Sequence, residues 1–299
     1  EITTGDWSSD VCSSDLRQYR DFGAITIAGG SHVDALPQEA LQSGIDIVVH
    51  GEGEEVFAEL LNVLLADRGV FLNRSSLAQV KGISFLDEAG TYVFTGARPP
   101  LVDLNELADP DLTLVKYLKK RWSFVPINRG RGCNWNCEFC VVNKQYGKYK
   151  SISVATTLRQ IIKYADLGYK AFFFTDDNFA QNPSEAIELC RKISDYKRQF
   201  REKIDLVVQV RSEVAENDEL LEAMCQAGVS MLAIGYESPI NEELRAMRKG
   251  VTAEKLIARS KKLSNYFYLH GMFIFGYPLH KNAQEKSLFT LRQRAKYYK

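Results

Sequence analysis

The sequence contains no apolar run approaching the roughly 20 residues that span a bilayer. Its first residues also lack the basic, apolar and small-residue order of a secretory leader. A cytoplasmic protein without a membrane span is therefore expected. Charge of one sign is missing as well: 38 Lys and Arg balance 38 Asp and Glu, so no global field favours nucleic acid or an anionic membrane. Histidine is scarce, with four residues at 32, 50, 270 and 280. A framework of spread cysteines is absent too, since three of the six lie within eight positions, which argues against a disulfide-stapled secreted domain. What is present, 45% apolar and 25% charged residues, is enough to bury one large core or two smaller ones, and it leaves metal or small-molecule chemistry open.

Residues 1–16, EITTGDWSSDVCSSDL, show no amphipathic period and resemble translated sequencing-adapter read-through. They are expected to be non-native, and Cys12 is set aside with them. Residues 17–72 read as strand, helix, strand, helix. Ala24–Ala28 runs into Gly29 and Gly30, Pro37 opens a helix that ends at Gly44, and Ile45–Val49 follows. After Gly51-Glu52-Gly53, two glutamates precede Val56, Phe57, Leu60, Leu61, Leu64 and Leu65 at helical spacing. Two parallel strands do not close a domain, so this segment is expected to be the end of a doubly wound sheet. Residues 73–120 hold a hairpin, Gly82–Phe85 and Tyr92–Thr95, and a Pro-rich linker.

From residue 121 to 299 the alternation is regular. Strands are predicted at Phe124–Asn128, Ala171–Thr175, Asp205–Val210, Ser230–Ile234 and His270–Phe275, with helices at Val154–Leu167, Ser184–Tyr196, Asp218–Ala227 and through Asn241–Leu263. Such alternation makes a parallel, barrel-like sheet. A sixth strand would be expected after the last helix, so the barrel reads as partial and unfinished at its C-terminal side.

The chemistry is concentrated in RGRGCNWNCEFCVV, directly after the first of these strands, where a parallel sheet presents its functional loops. Cys133, Cys137 and Cys140 are spaced to ligate one side of an iron–sulfide cube. Three ligands for four irons leave one iron open to chelate the amino and carboxylate groups of another molecule. A zinc knuckle is the competing reading, and it needs a fourth ligand at similar short range. None is near: Cys190 and Cys225 fall in amphipathic helices, where a buried inert thiol is the common case.

With Phe139 just before the third cysteine, this C-x3-C-x2-C segment resembles the signature of radical S-adenosylmethionine (SAM) enzymes, and the similarity extends over residues 121 to 299. The Gly29-Gly30, Leu36-Pro37-Gln38-Glu39 and Gly51-Glu52-Gly53-Glu54 series resembles the closing part of the cobalamin-binding domain that precedes many of them. The resemblance implies an α/β chain: a partial (β/α)6 radical SAM barrel preceded by the C-terminal remnant of a Rossmann-like cobalamin-binding domain. It implies a 4Fe–4S cluster, SAM cleaved reductively to a 5′-deoxyadenosyl radical, and an electron donor such as flavodoxin or ferredoxin. It also implies a small-molecule substrate and cobalamin-dependent methyl transfer to an unactivated carbon. Cyclisation, dehydrogenation, methylthiolation or a non-catalytic iron–sulfur module remain alternatives. The upstream D-x-H-x-x-G and S-x-L motifs of the cobalamin domain are missing, so cobalamin is expected to bind this chain poorly.

The same resemblance distributes the SAM contacts over the strand ends. Asp176 and Asp177, after the second strand, would accept from the methionine ammonium or merely cap the next helix. Arg211, ending the third, would grip the carboxylate or form an ion pair between strands. Gly235 and Glu237 would lie near the ribose hydroxyls, or form a turn; Phe275 and Gly276 would pack on adenine, or belong to the core. Gly29 and Gly30 would let the cobalamin nucleotide tail approach the backbone. His32 and His50 read as hydrogen-bonding turn residues. Lys144, Lys148 and Lys150, with Tyr146 and Tyr149, read as a solvated surface loop or a receiver for an anionic substrate.

Overall fold

In the computed structural model of the protein, residues 19–66, 74–112 and 124–277 are described. The expectation for residues 1–16 and the helix after the fifth barrel strand lie outside them. No described helix is long and apolar enough to cross a membrane. The chain divides into two units, Glu1–Val102 and Asp103–Lys299.

In the first unit, β1 (Ile27–Ala28), α1 (Ser31–Ala35), α2 (Pro37–Gln42), β2 (Ile47–Val49) and α3 (Glu54–Ala66) are followed by β3 (Ile83–Leu86) and β4 (Tyr92–Phe94). The strands form one sheet in the order β1-β2-β3-β4. The first pair is parallel and the other two are antiparallel. The hairpin therefore extends the sheet begun by residues 17–72, with Val48 opposite Ser84 and Val49 opposite Ile83. Leu36, at φ −130° and ψ 57° and so outside helical geometry, separates α1 from α2. This follows from Pro37, which lacks an N–H and disfavours helical geometry in the residue before it. Ile47, Val56, Leu60, Leu77, Ile83 and Phe85 make a small separate core.

The second unit is built on a parallel five-stranded sheet in the order β11-β10-β9-β8-β5. Its strands are β5 (Val125–Ile127), β8 (Ala171–Phe174), β9 (Asp205–Val210), β10 (Val229–Glu237) and β11 (Tyr268–Phe273). A two-residue antiparallel pair, β6 (Gly130–Arg131) and β7 (Lys150–Ser151), brackets the cysteine segment and the short helix α4 (Val142–Gln145). Helices α5 (Val154–Asp166), α6 (Pro183–Phe200) and α7 (Asp218–Ala227) follow, and α8 (Asn241–Ala246) and α9 (Ala253–Leu263) precede β11. Among the described residues the sheet is open, with β5 and β11 at its edges.

The local reasons are plain in the sequence. Ser153, Asn182, Asn217 and Thr252 each accept a backbone N–H of the first turn they precede, so the connections entering α5, α6, α7 and α9 end in a cap. The inner strands β8, β9 and β10 are near-continuous apolar runs because helices cover them, whereas β11 at the edge is largely exposed. Phe172, Phe174 and Phe179 are fully buried, each contributing on the order of 2 kcal/mol of apolar burial. The helices predicted through Asn241–Leu263 are two, parted at residues 247–252, where Arg248 and Gly250 have φ of 52° and 73°. This break sends a loop back toward the cysteines.

Candidate active site

The first half of the cysteine loop is held from the end of β8. Asp176 Oδ1 accepts the Arg129 amide at 2.8 Å, and Asp177 Oδ2 accepts the Gly132 amide at 3.2 Å. Gln181 Oε1 gathers three donors: Cys133 Sγ at 3.4 Å, the Asn134 amide at 3.2 Å and Asn178 Nδ2 at 3.3 Å. Both glycines of Gly130-Arg131-Gly132 are required by close approach. A Cβ on Gly130 would lie 2.6 Å from the Tyr149 ring, and one on Gly132, at φ 83°, would lie 2.8 Å from the Lys148 carbonyl oxygen. Beneath the loop, Arg129 is fully buried, paired with Glu185 and donating to the Tyr149 hydroxyl at 3.3 Å. Tyr149 thus supports the loop from below, and burial pushes its phenol up, while Lys144 and Lys148 of the same segment are exposed, as expected of a solvated loop.

These bonds define what the two aspartates do. Asp176 is 1% exposed, and burial pushes its carboxyl from 3.8 up to about 7 against the opposing pull of the Arg129 and Gly130 amides. Its Oδ2 finishes buried without a well-formed hydrogen bond. Burial also raises Asp177, opposed by the Gly132 amide.

The second half of the loop is clasped from β9, β10 and the 247–250 loop. Arg211 lies 4.0 Å above the Trp135 ring. It donates from Nη1 to Cys137 Sγ at 3.5 Å, from Nη2 to the Lys249 carbonyl at 2.7 Å, and to both Glu213 oxygens at 3.3 Å. The Glu138 amide donates to the Met247 carbonyl at 2.9 Å, and the Glu138 carboxylate pairs with Arg248 at 3.3 Å. Lys249 Nζ donates to Glu237 Oε1 at 2.9 Å, 6.0 Å from the Phe139 ring. That pair is nearly sealed from solvent, its side chains 7% and 10% exposed. Gly235 makes room for it, since a Cβ there would overlap Glu237 Oε1 and stand 3.1 Å from Lys249 Nζ. Glu237 has φ 61° beside a bulge in the β10–β11 register, a backbone strain of roughly 1–3 kcal/mol for a non-glycine residue.

A cysteine loop at the carboxyl end of the first parallel strand, braced by the ends of the next three, is thus the chemical centre of the second unit. A family described as the Radical SAM superfamily matches residues 127–288. The chain belongs to the radical SAM superfamily. A protein of Pyrococcus horikoshii named as an uncharacterized methyltransferase is 30% identical over 264 residues, 85% of this chain and 54% of that protein. The anaerobic magnesium-protoporphyrin IX monomethyl ester cyclase of Cereibacter sphaeroides is 28% identical over 240 residues, 77% of this chain and 38% of that one. Among solved structures, the methyltransferase TsrM of Kitasatospora setae, with cobalamin and a 4Fe–4S cluster bound, aligns with a TM-score of 0.75 at 18% identity, covering 97% of this chain and 57% of that one. The cobalamin-dependent radical enzyme OxsB, with aqua-cobalamin and S-adenosylmethionine bound, aligns at 0.71 and 22% identity, covering 96% and 40%. These likenesses establish the fold, and the chain spans about half the length of the Pyrococcus relative.

The residues of this radical SAM chain fit an anionic cluster. Burial raises the Cys133 and Cys140 thiols, while the Arg211 cation pulls the first down and Lys249 the second. Cys133 senses both other thiols and Cys140 senses Cys137, so the three share one locale. Among the described residues no three His, Cys, Asp or Glu side chains surround a single ion. A cube of iron and sulfide spreads its ligands over separate irons and makes no such demand. Cys190, by contrast, is buried in the core with its thiol pushed up to about 12 by burial, as an inert cysteine should be.

Other sequence-based expectations fare differently. Arg211 forms an ion pair, but with Glu213 two residues on in the turn after β9, not between strands as the alternative reading had it. Phe275 is exposed just past β11, and Gly276 follows with φ 79°. In the first unit, Gly30 has φ 100° with open space where a Cβ would be, and a Cβ on Gly29 would lie 3.6 Å from the Val49 carbonyl, an ordinary contact. His50 is a hydrogen-bonding residue, between Asp34 at 2.6 Å and Ser84. Sequence reading missed Arg129, Trp135, Gln181 and Lys249. The signal for Lys249 was the glycine after it, breaking a helical period.

Proposed function

We propose that the protein is a radical SAM enzyme in which Cys133, Cys137 and Cys140 ligate a 4Fe–4S cluster that cleaves S-adenosylmethionine reductively. The observation that carries this reading is the clasped three-cysteine loop at the carboxyl edge of the parallel sheet. When bound, the reduced cluster supplies one electron to the sulfonium, giving methionine and a 5′-deoxyadenosyl radical. The protein's own share is orientation. Asp176 and Asp177 fix the loop amides, and half-buried Asp177 is the carboxylate offered to the methionine ammonium. Glu237, held by Lys249 in the room that Gly235 leaves, would meet the ribose hydroxyls. Phe275 and Gly276 would line the adenine side. Arg211, already engaged by its partners, acts on the loop. The electron comes from a low-potential donor of the flavodoxin or ferredoxin kind, in the cytoplasm.

The reaction we favour is cobalamin-dependent methyl transfer to an unactivated carbon of a small molecule, supported by methyltransferases among the relatives and by cobalamin in the structural neighbours. Gly29 and Gly30 would meet the nucleotide tail. The cyclase relatives support a second reading, radical chemistry without methyl transfer. Anaerobic reconstitution with iron and sulfide, reduction by dithionite and quantification of products test the class: 5′-deoxyadenosine and methionine should form. A fully iron-loaded, reduced preparation that forms neither contradicts it. S-adenosylhomocysteine alongside them indicates methyl transfer, and its absence in the presence of cobalamin and substrate favours the second reading.

A further inference from the structure

The guanidinium of Arg211 is an expensive object to place where it is. It is 8% exposed, and a cation withdrawn from water costs several kcal/mol unless its surroundings replace the lost hydration. Its partners do so on every side: the Trp135 face, the Lys249 carbonyl, the Glu213 carboxylate and the sulfur of Cys137. Glu213 does not neutralise Arg211 alone, because the same carboxylate lies 3.2 Å from Arg259. Arg259 in turn pairs with exposed Glu216 and donates to Ser212 at 3.0 Å. Two cations therefore share one partly buried carboxylate, the second acid being largely in solvent. The charge that touches Cys137 Sγ is thus the Arg211 guanidinium, and it arrives with a directed N–H.

From this geometry we infer that Arg211 is a positioning residue that raises the reduction potential of the cluster, acting through the sulfur of Cys137, with Glu213 setting how much of its charge is felt there. The inference rests on the reading that the three cysteines hold a 4Fe–4S cluster. Reduction adds one electron, taken from an external one-electron donor, to the oxidised cluster; no bond breaks and the donor is oxidised by one electron. The added negative charge spreads onto the ligand sulfurs, so a donated N–H and a nearby cation favour the reduced state. Removing Arg211 should make the cluster harder to reduce. Removing the charge of Glu213 leaves Arg211 less compensated and should make it easier.

The opposite signs separate tuning from loosening. The experiment is a dye-mediated redox titration of the anaerobically reconstituted protein, without S-adenosylmethionine, following the electron paramagnetic resonance signal of the reduced cluster. In Arg211→Met the reduced-to-oxidised ratio at the wild-type midpoint should fall about tenfold, a shift of ~59 mV to lower potential for a one-electron couple. Glu213→Gln should shift upward, and Arg211→Lys, which keeps the charge without the planar fork, should lie between wild type and Arg211→Met. If Arg211→Met takes up too little iron to titrate, the upward shift in Glu213→Gln and the smaller downward shift in Arg211→Lys decide. Unmoved potentials, or shifts of the same sign in the Arg211 and Glu213 variants, overturn the inference alone. A wild-type protein that assembles no cluster overturns the reading beneath it and the inference with it.

Discussion

At the scale of single residues, the cysteine loop is a set of backbone amides and thiols held by polar groups behind it, some of them buried charges. Asp176 shows the cost. Its folded carboxyl titrates near 7 against 3.8 for an unburied one, so the folded state keeps a proton that the unfolded state has lost between those values. Stability therefore falls as pH rises from about 4 to about 7 and is level above. Asp176→Asn, which retains an oxygen for the Arg129 amide, should flatten that slope and gain up to about 4 kcal/mol at pH 8, read from urea unfolding at several pH values. Gly132→Ala should do the reverse, loosening the loop through its positive φ and the collision with the Lys148 carbonyl, at a cost of about 1–3 kcal/mol by thermal melting. The three cysteines were legible because their spacing is chemically specific. Arg129 and Lys249 were not, because a buried, paired cation has the same letters around it as a solvated one.

At the scale of elements, the alternation of apolar strands with amphipathic helices gave away the parallel sheet, and the capping residues gave away where its loops end. What it could not give was the path of the chain past a strand's last hydrogen bond. β10 runs on to Glu237, beyond the predicted Ile234, because a bulge carries it there. The break at residues 247–252 then brings Lys249 to meet it. The meeting of these two elements is a buried ion pair, so removing one partner strands a charge. Glu237→Gln should destabilise by about 3–5 kcal/mol, and Glu237→Gln with Lys249→Met should recover a large part of that, measured as a double-mutant cycle by denaturant unfolding. Additive losses would show that the pair carries no coupling. The first unit has a comparable limit of legibility: α1 and α2 follow from Pro37, but the pairing of β2 with the hairpin depends on register across more than 30 residues, which no local pattern encodes.

At the scale of the whole molecule, two separate cores serve two sheets, and the superfamily signature falls wholly in the second. The cobalamin reading rests on methyltransferases among the relatives and on cobalamin in the structural neighbours, while the residues of this chain include no motif that would offer a histidine to cobalt. Hydroxocobalamin titrated into the chain should therefore leave no cobalt-ligation change in its visible spectrum; such a change would call for a ligand that the sequence does not reveal. The central claim concerns the other sheet, and one measurement addresses it most directly: the electron paramagnetic resonance spectrum of the reconstituted, reduced protein before and after S-adenosylmethionine is added. Three cysteine ligands and an open iron predict the signal of a reduced 4Fe–4S cluster whose g-values change on addition, with both signal and response lost in Cys133→Ala, Cys137→Ala and Cys140→Ala. A spectrum indifferent to S-adenosylmethionine, or one that survives loss of these cysteines, would contradict the account.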